Sequence, residues 1–330
     1  MSLTGPRVGQ STEPGTLVDD AALTEQADLR DQTVDYQAPE PVDKPLGLLA
    51  RTSALHLLLA FLSLIISLPF LWMVLTSLKT VAEVDYTTWI PDVPQWRNYL
   101  DVFRVDDPTS ADFDPNRQGV KLHLFFRNSF FVAAWVTFLQ VLTSAFAAFS
   151  FARLKWPGRD KVFLLYLATM MLPGLIMSIP NYQIMIELGL VDTLPGLIIP
   201  AAFSAFGTFL LRQFMLTIPA SLDEAAEIDG AGKLRLFFDI ILPLSRPGVI
   251  TLAIFTFMGN YNSFFWPLVM IKTEEKYPLQ VGLLFFESSR GSSTHLLMAA
   301  VTLSVVPLII LFVCAQKYLV KGIQLGAVKG

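Results

Sequence analysis

Six blocks of apolar residues, at about 55–78, 125–149, 162–179, 194–214, 248–271 and 295–318, constrain this 330-residue chain more than anything else in it. Each approaches or exceeds the roughly 20 residues that a helix needs to cross a hydrocarbon layer of about 30 Å. With 53% hydrophobic and only 16% charged residues, the chain does not read as a water-soluble domain of this length. In a bilayer the backbone has no water to bond to, so segments of this kind are satisfied as helices. The expected fold is an all-α membrane protein with six transmembrane helices. Pro69, Pro173, Pro200, Pro267 and Pro307 fall inside the blocks and predict kinks.

Residues 1–48 are acidic, carry scattered Pro, Gly, Ser and Thr, and lack apolar periodicity, which reads as a disordered cytoplasmic tail before a membrane domain at 49–330. No apolar run follows Met1 closely, so the first block is expected to remain as an uncleaved anchor. Arg153, Lys155, Arg159 and Lys161 follow the second block, and Lys317, Lys321 and Lys329 follow the sixth. Arg212, Lys233, Arg235 and Arg246 flank the polar segment between the fourth and fifth. Such clusters favour the cytoplasmic side. Both termini are therefore expected inside, with loops 80–124, 180–193 and 272–294 outside. The 272–294 loop reads about equally as a solvated connector and as a docking edge. Cys314 lies within the last block and reads as a packing residue; His56, His123 and His295 have no partner at metal-ligand spacing.

The polar segment carries helix punctuation. Ser221 and Glu224 have the spacing of a capping box, with the Ser221 hydroxyl accepting from the Glu224 amide and the Glu224 carboxylate from the Ser221 amide. Asp223 and Glu224 complement the positive end of a helix dipole, Gly230 is placed to end the helix, and Pro243 marks a second break before the fifth block. The expectation is a short rigid knob between two spans. Leu222, Ala225 and Ala226 are also compatible with ordinary packing of a loop helix.

No Asp or Glu lies in any of the six blocks, which argues against a proton- or sodium-driven carrier. Gly232-Lys233 lacks the remainder of a phosphate-binding loop, so energy from ATP would have to enter through another chain. Polar and aromatic side chains are densest at Asn260, Tyr261, Asn262, Ser263 and Trp266 of the fifth block, with Asn181, Tyr182 and Gln140 weaker candidates. Amides exchange hydrogen bonds with hydroxyl-rich solutes and aromatic faces stack on sugars, which suits a substrate path for a polar cargo. Hydrogen bonding between helices recruits the same residue types.

Pro219, Asp223-Glu224-Ala225-Ala226, Asp229-Gly230-Ala231, Leu242-Pro243 and Pro247 together resemble the EAA loop of ATP-binding-cassette (ABC) importer permeases, here at 217–247. Over roughly residues 55–330 the chain is similar to the carbohydrate-importer branch of that family, the kind serving maltose, other oligosaccharides and glycerol phosphate. The supporting segments are Pro69-Phe70-Leu71-Trp72-Met73, Ser77-Leu78-Lys79, Asn98-Tyr99, Arg127-Asn128-Ser129, Gly189-Leu190-Val191-Asp192-Thr193 and, near the C-terminus, residues 316–322 and 326–330. The resemblance implies the type I importer permease fold with a cytoplasmic coupling helix, in the cytoplasmic (inner) membrane. It also implies a second permease, two ATPase subunits carrying ATP and Mg, and an external solute-binding protein. No cofactor, metal or nucleic acid is implied for this chain itself, and no catalytic residue; its other neighbour is membrane lipid. Ser221, Asp223, Glu224, Ala225, Ala226, Asp229, Gly230 and Pro243 would form the ATPase-coupling site, and the 272–294 loop would face the binding protein. Where the family commonly has Trp-Asn this chain has Tyr261-Asn262, and its acidic tail is longer than the family core requires. A stand-alone secondary carrier or channel is the competing reading, and a membrane-embedded enzyme ranks behind both.

Overall fold

The computed structural model describes residues 46–84, 88–103, 121–290 and 294–327, with side chains omitted at 46–51, 287–290 and 317–327. The expected 1–48 tail and the last three residues therefore lie almost wholly outside the described residues. Those described form helices and connecting turns, without a strand. A first compact unit ends at Ile65 and a second begins at Ile66. The first helix, α1 (Leu46–Ser77), runs on through Pro69, and its apolar side chains, such as Leu57, Leu64 and Phe70, are exposed.

The second unit is organised around α2 (Leu122–Arg153), 32 residues without a single proline or glycine. Small buried residues on it, Ala133, Ser144, Ala145 and Ala148, let neighbouring helices approach closely. Three of the later spans are interrupted. The third block splits into α3 (Arg159–Ala168), a 3-10 turn Thr169–Met171 and α4 (Gly174–Glu187), whose two arms are bent by 99°. Pro173 has no amide to continue the ladder and holds Leu172 extended, so the helix closes with a 3-10 turn and restarts. Helix α4 then continues through Pro180 to Glu187, which overturns the expected loop at 180–193. Its stop is Gly189, at φ 67°, where Leu190 N–H bonds to the Met185 carbonyl and Gly189 N–H to that of Ile186.

The fourth block comprises α5 (Leu194–Ala201) and α6 (Ala205–Leu216), bent by 44° just after Pro200. Beyond α7 (Ser221–Ile228) the segment Lys233–Leu244 contains a π-helical stretch, Leu236–Ile241. The 75° bend into α8 (Arg246–Tyr261) comes at Ser245, two residues later than Pro243. Pro243 sits inside a helical turn; its missing amide accompanies the widened π turns before it. The fifth block is not one helix to 271 either: α8 ends at Tyr261, and α9 (Phe265–Met270) follows a break at 262–264.

The 272–294 segment is not a plain solvated connector. It holds α10 (Leu279–Arg290), with Leu279, Val281, Leu283 and Phe286 buried. The last helix, α11 (Thr294–Ala327), passes through Pro307, and Cys314 is exposed on it instead of packed. Two apolar cores result. One gathers Phe125, Val132, Tyr261, Leu279, Phe286 and Ala299; the other gathers Ala148, Leu211, Ala226, Phe237 and Leu252.

Candidate functional site

Helix α7 begins two residues after Pro219. The Pro219 carbonyl accepts from Leu222, and the Ala220 carbonyl from Asp223 and Glu224. Ala220 occupies the N-cap in helical conformation, so Ser221 is the first helical residue and the expected capping box does not form. The helix end is fixed instead by Arg153, the last residue of α2. Its Nη1 lies 3.1 Å from Asp223 Oδ2, and its Nη2 donates to the Met215 carbonyl (2.5 Å) and the Ile218 carbonyl (2.7 Å). Only 6% of the Arg153 side chain and 20% of that of Asp223 is exposed. A planar guanidinium holds several oxygens in one geometry, which an ammonium cannot copy.

The other end of α7 closes with Gly230 at φ 74°, where Ala231 N–H bonds to the Ala226 carbonyl and Gly230 N–H to that of Glu227. Lys233 pairs with Glu227, and this hydrogen bond holds the Glu227 carboxyl below the usual range. Ala226 is buried in the second core. Ser221, Leu222, Glu224, Ala225, Ile228, Asp229 and Gly230 face outward, and Ile228 is 86% exposed. The knob thus shows an apolar strip bordered by carboxylates on a helix clamped at both ends.

The opposite end of the second unit carries a different set of fasteners. Asn98 donates to the carbonyls of Ser77 and Lys79, and Ser77 bonds the Tyr99 hydroxyl. Asn128 donates to the carbonyls of Glu275 (2.7 Å) and Tyr277 (3.1 Å), and the Ser129 hydroxyl accepts from Leu279 N–H. Lys121 reaches Glu275 at 2.5 Å. Asp192, at φ 58°, accepts from the amides of Lys272 and Thr273, the Thr273 hydroxyl and the Lys276 ammonium. Burial alone would raise its carboxyl, but these four donors outweigh burial and hold it well below the usual carboxylate range.

Beside this second set of fasteners, with Ser129 and Pro278 in its wall, lies a cavity of about 280 Å³. Asn181, Asn260 and Trp266 line it, together with Ser129, Ser178 and Ser263. Asn260 donates to the Thr256 carbonyl, which leaves its own carbonyl oxygen as an acceptor. The Trp266 indole donates to the Gly196 carbonyl. Tyr261 is elsewhere. It is fully buried against Phe130 and Phe257, with its hydroxyl donating to the Ser304 carbonyl. Asn262 is exposed, donates to the Met258 carbonyl and accepts from Gln280, whereas Gln140 donates to Thr256. Tyr182 borders a neighbouring pocket with Phe265. Sequence reasoning missed Arg153 and Asp192 as site residues. Arg153 was visible only as a cation after an apolar block, and Asp192 only as part of a family-like segment.

Residues 140–325 match the family described as binding-protein-dependent transport system inner membrane component. A putative ABC transporter permease of Caldicellulosiruptor sp. is 34% identical over 275 residues, covering 82% of this chain and 95% of that protein. The arabinooligosaccharides transport system permease AraQ of Bacillus subtilis is 30% identical over 281 residues, covering 84% and 95%. The sn-glycerol-3-phosphate transport system permease UgpE of Brucella abortus is 35% identical over 207 residues, covering 62% and 73%. In three dimensions the chain resembles one from the crystal structure of a bacterial ABC transporter involved in the import of the acidic polysaccharide alginate. The TM-score is 0.68, with 24% identity over 82% of this chain and 96% of the other.

Proposed function

The chain belongs to the binding-protein-dependent transport system inner membrane component family, and from that premise we propose that it is the permease subunit through which a sugar, polyol or sugar phosphate enters the cytoplasm. It is a multi-pass membrane protein of an ABC importer and works within a transporter complex; its task is translocation, not catalysis. In the proposed assembly a second permease completes the path, two ATPase subunits bind ATP and Mg at the cytoplasmic face, and an external protein delivers the solute. Both termini lie in the cytoplasm, consistent with the basic loops beside Arg153 and α7.

The observation that carries this reading is α7: a helix of eight residues, clamped by Arg153 and Gly230, whose outward face offers Leu222, Ala225 and Ile228 beside Glu224. Such a knob fits a cleft on a motor subunit. Closure of the ATPase dimer would move it, and the bent spans around the cavity would change which side the cavity opens to. Asn181, Asn260 and Trp266 are proposed as cargo contacts. Tyr261 is assigned to packing, and Asn262 to the rim through Gln280.

The test is purification of the tagged chain from its native membrane, with co-purifying chains identified and ATP hydrolysis assayed with and without candidate sugars. Recovery of an ATPase and a second permease, with hydrolysis stimulated by a sugar-loaded binding protein, is the expected result. A lone chain that moves solute into vesicles without ATP would establish a secondary carrier instead.

A further inference from the structure

Helix α2 differs from the other spans in two ways at once. It alone contains neither proline nor glycine, whereas Pro69, Pro173, Pro200, Pro247 and Pro307 fall within or at breaks of the others. Both of its ends are also tied by buried polar side chains to the two segments that the importer reading gives to external partners. At one end Arg153 grips α7 through Asp223 and the stretch before α7 through the carbonyls of Met215 and Ile218. At the other end Asn128, 1% exposed, holds the carbonyls of Glu275 and Tyr277, with Lys121 on Glu275 just outside it.

We propose that α2 is a rigid strut joining the coupling helix to the 272–279 segment, with Arg153 and Asn128 as its positioning residues. A bend at proline or glycine absorbs displacement, and α2 has no such joint. Breaking a buried, multiply bonded guanidinium contact leaves an uncompensated charge, so the Arg153 end resists slipping. From Asn128 to Arg153 the helix spans about 38 Å at 1.5 Å per residue, so a shift of α7 reaches the far loop without passing through the bent spans. The strut rests on the importer reading above and adds to it a fixed mechanical link between motor side and receptor side.

Two residues so far apart, with no shared partner, are expected to act additively unless one element joins them. The experiment is therefore a double-mutant cycle in proteoliposomes holding the complete assembly, with Arg153→Gln, Asn128→Ala and both together. The readout is the ratio of hydrolysis with the sugar-loaded binding protein to hydrolysis without it. Each single variant is expected to lower that ratio about tenfold, within the usual range for coupling between sites. The double variant should be no worse than the worse single one. A merely structural role would lower assembly yield without producing this pattern. If either variant assembles poorly, Arg153→Lys with Lys121→Ala gives a milder cycle with the same expectation. Effects that multiply to about a hundredfold, as independent sites would, overturn the strut. A wild-type assembly that shows no stimulation at all overturns the importer reading itself, and the strut with it.

Discussion

Asp192 carries four hydrogen bonds on one carboxylate and adopts a left-handed backbone conformation that few residue types tolerate. Replacement by Asn keeps that backbone preference but offers one acceptor oxygen in place of two and removes the charge, so two of the four donors lose their acceptor. Asp192→Asn is therefore expected to cost about 2 kcal/mol, the usual size for hydrogen bonds to a charged group, read as a lower thermal midpoint of the purified assembly. The pH dependence has a definite sign. A carboxyl depressed in the folded state adds stability above its unfolded value of about 3.9, and that stability is lost only as pH falls below it toward the folded value. Between pH 5 and 8 the contribution of this group is full and should not vary with pH; below about pH 4 the difference between wild type and Asp192→Asn should shrink. A difference that stayed constant into strong acid would remove the charge from the explanation. Tyr261 teaches the converse lesson. As an aromatic next to an amide in a span it looked like a cargo contact, yet its ring fills the core and its hydroxyl is satisfied by Ser304. Composition could not separate these roles, because a solute and a neighbouring helix ask for the same chemistry.

At the scale of elements, the coupling helix was legible in sequence to within a turn, because Gly230 has one conformational meaning there. Its start was misread. Ser221 and Glu224 matched a local rule, but Pro219 and Ala220 had already begun the turn, and Asp223 was drawn to an arginine about 70 residues earlier. Distant partners leave no local signature. The third apolar block was expected to end at 179, but the helix accommodates Pro180 and stops at Gly189. The all-α class and six apolar blocks followed from length and hydropathy, and Pro173 marked the break in the third block, whereas the break at 262–264 in the fifth falls before the flagged Pro267 and had no local mark. Gly230→Val places a β-branched residue at positive φ and is expected to destabilise the end of α7 by about 1–3 kcal/mol. It should depress binding-protein-stimulated ATP hydrolysis in the complete assembly. Glu224→Ala, which leaves the helix frame intact, should weaken the same stimulation with a smaller loss of thermal stability. Normal stimulation in both variants would remove α7 from the coupling site.

For the molecule as a whole, the six apolar blocks hold no Asp or Glu, which argues against proton coupling. Proton-coupled carriers need a titratable group along the path, and here the cavity offers amides, hydroxyls and an indole. Import into proteoliposomes holding the full assembly is therefore expected to survive a protonophore and to stop when ATP is withheld. Sensitivity to the protonophore at constant ATP would contradict this. The broken spans have one more consequence. Helix ends fall beside the cavity at Gly174 and at Ala201, and each end has main-chain groups that lack a partner within their own helix. Where such main-chain groups border the cavity, they supply polarity that most side-chain substitutions leave in place. Drift in the lining side chains would retune the preference among cargoes while the channel stayed hospitable to polar solutes, which makes a path of this build robust to mutation and readily diversified.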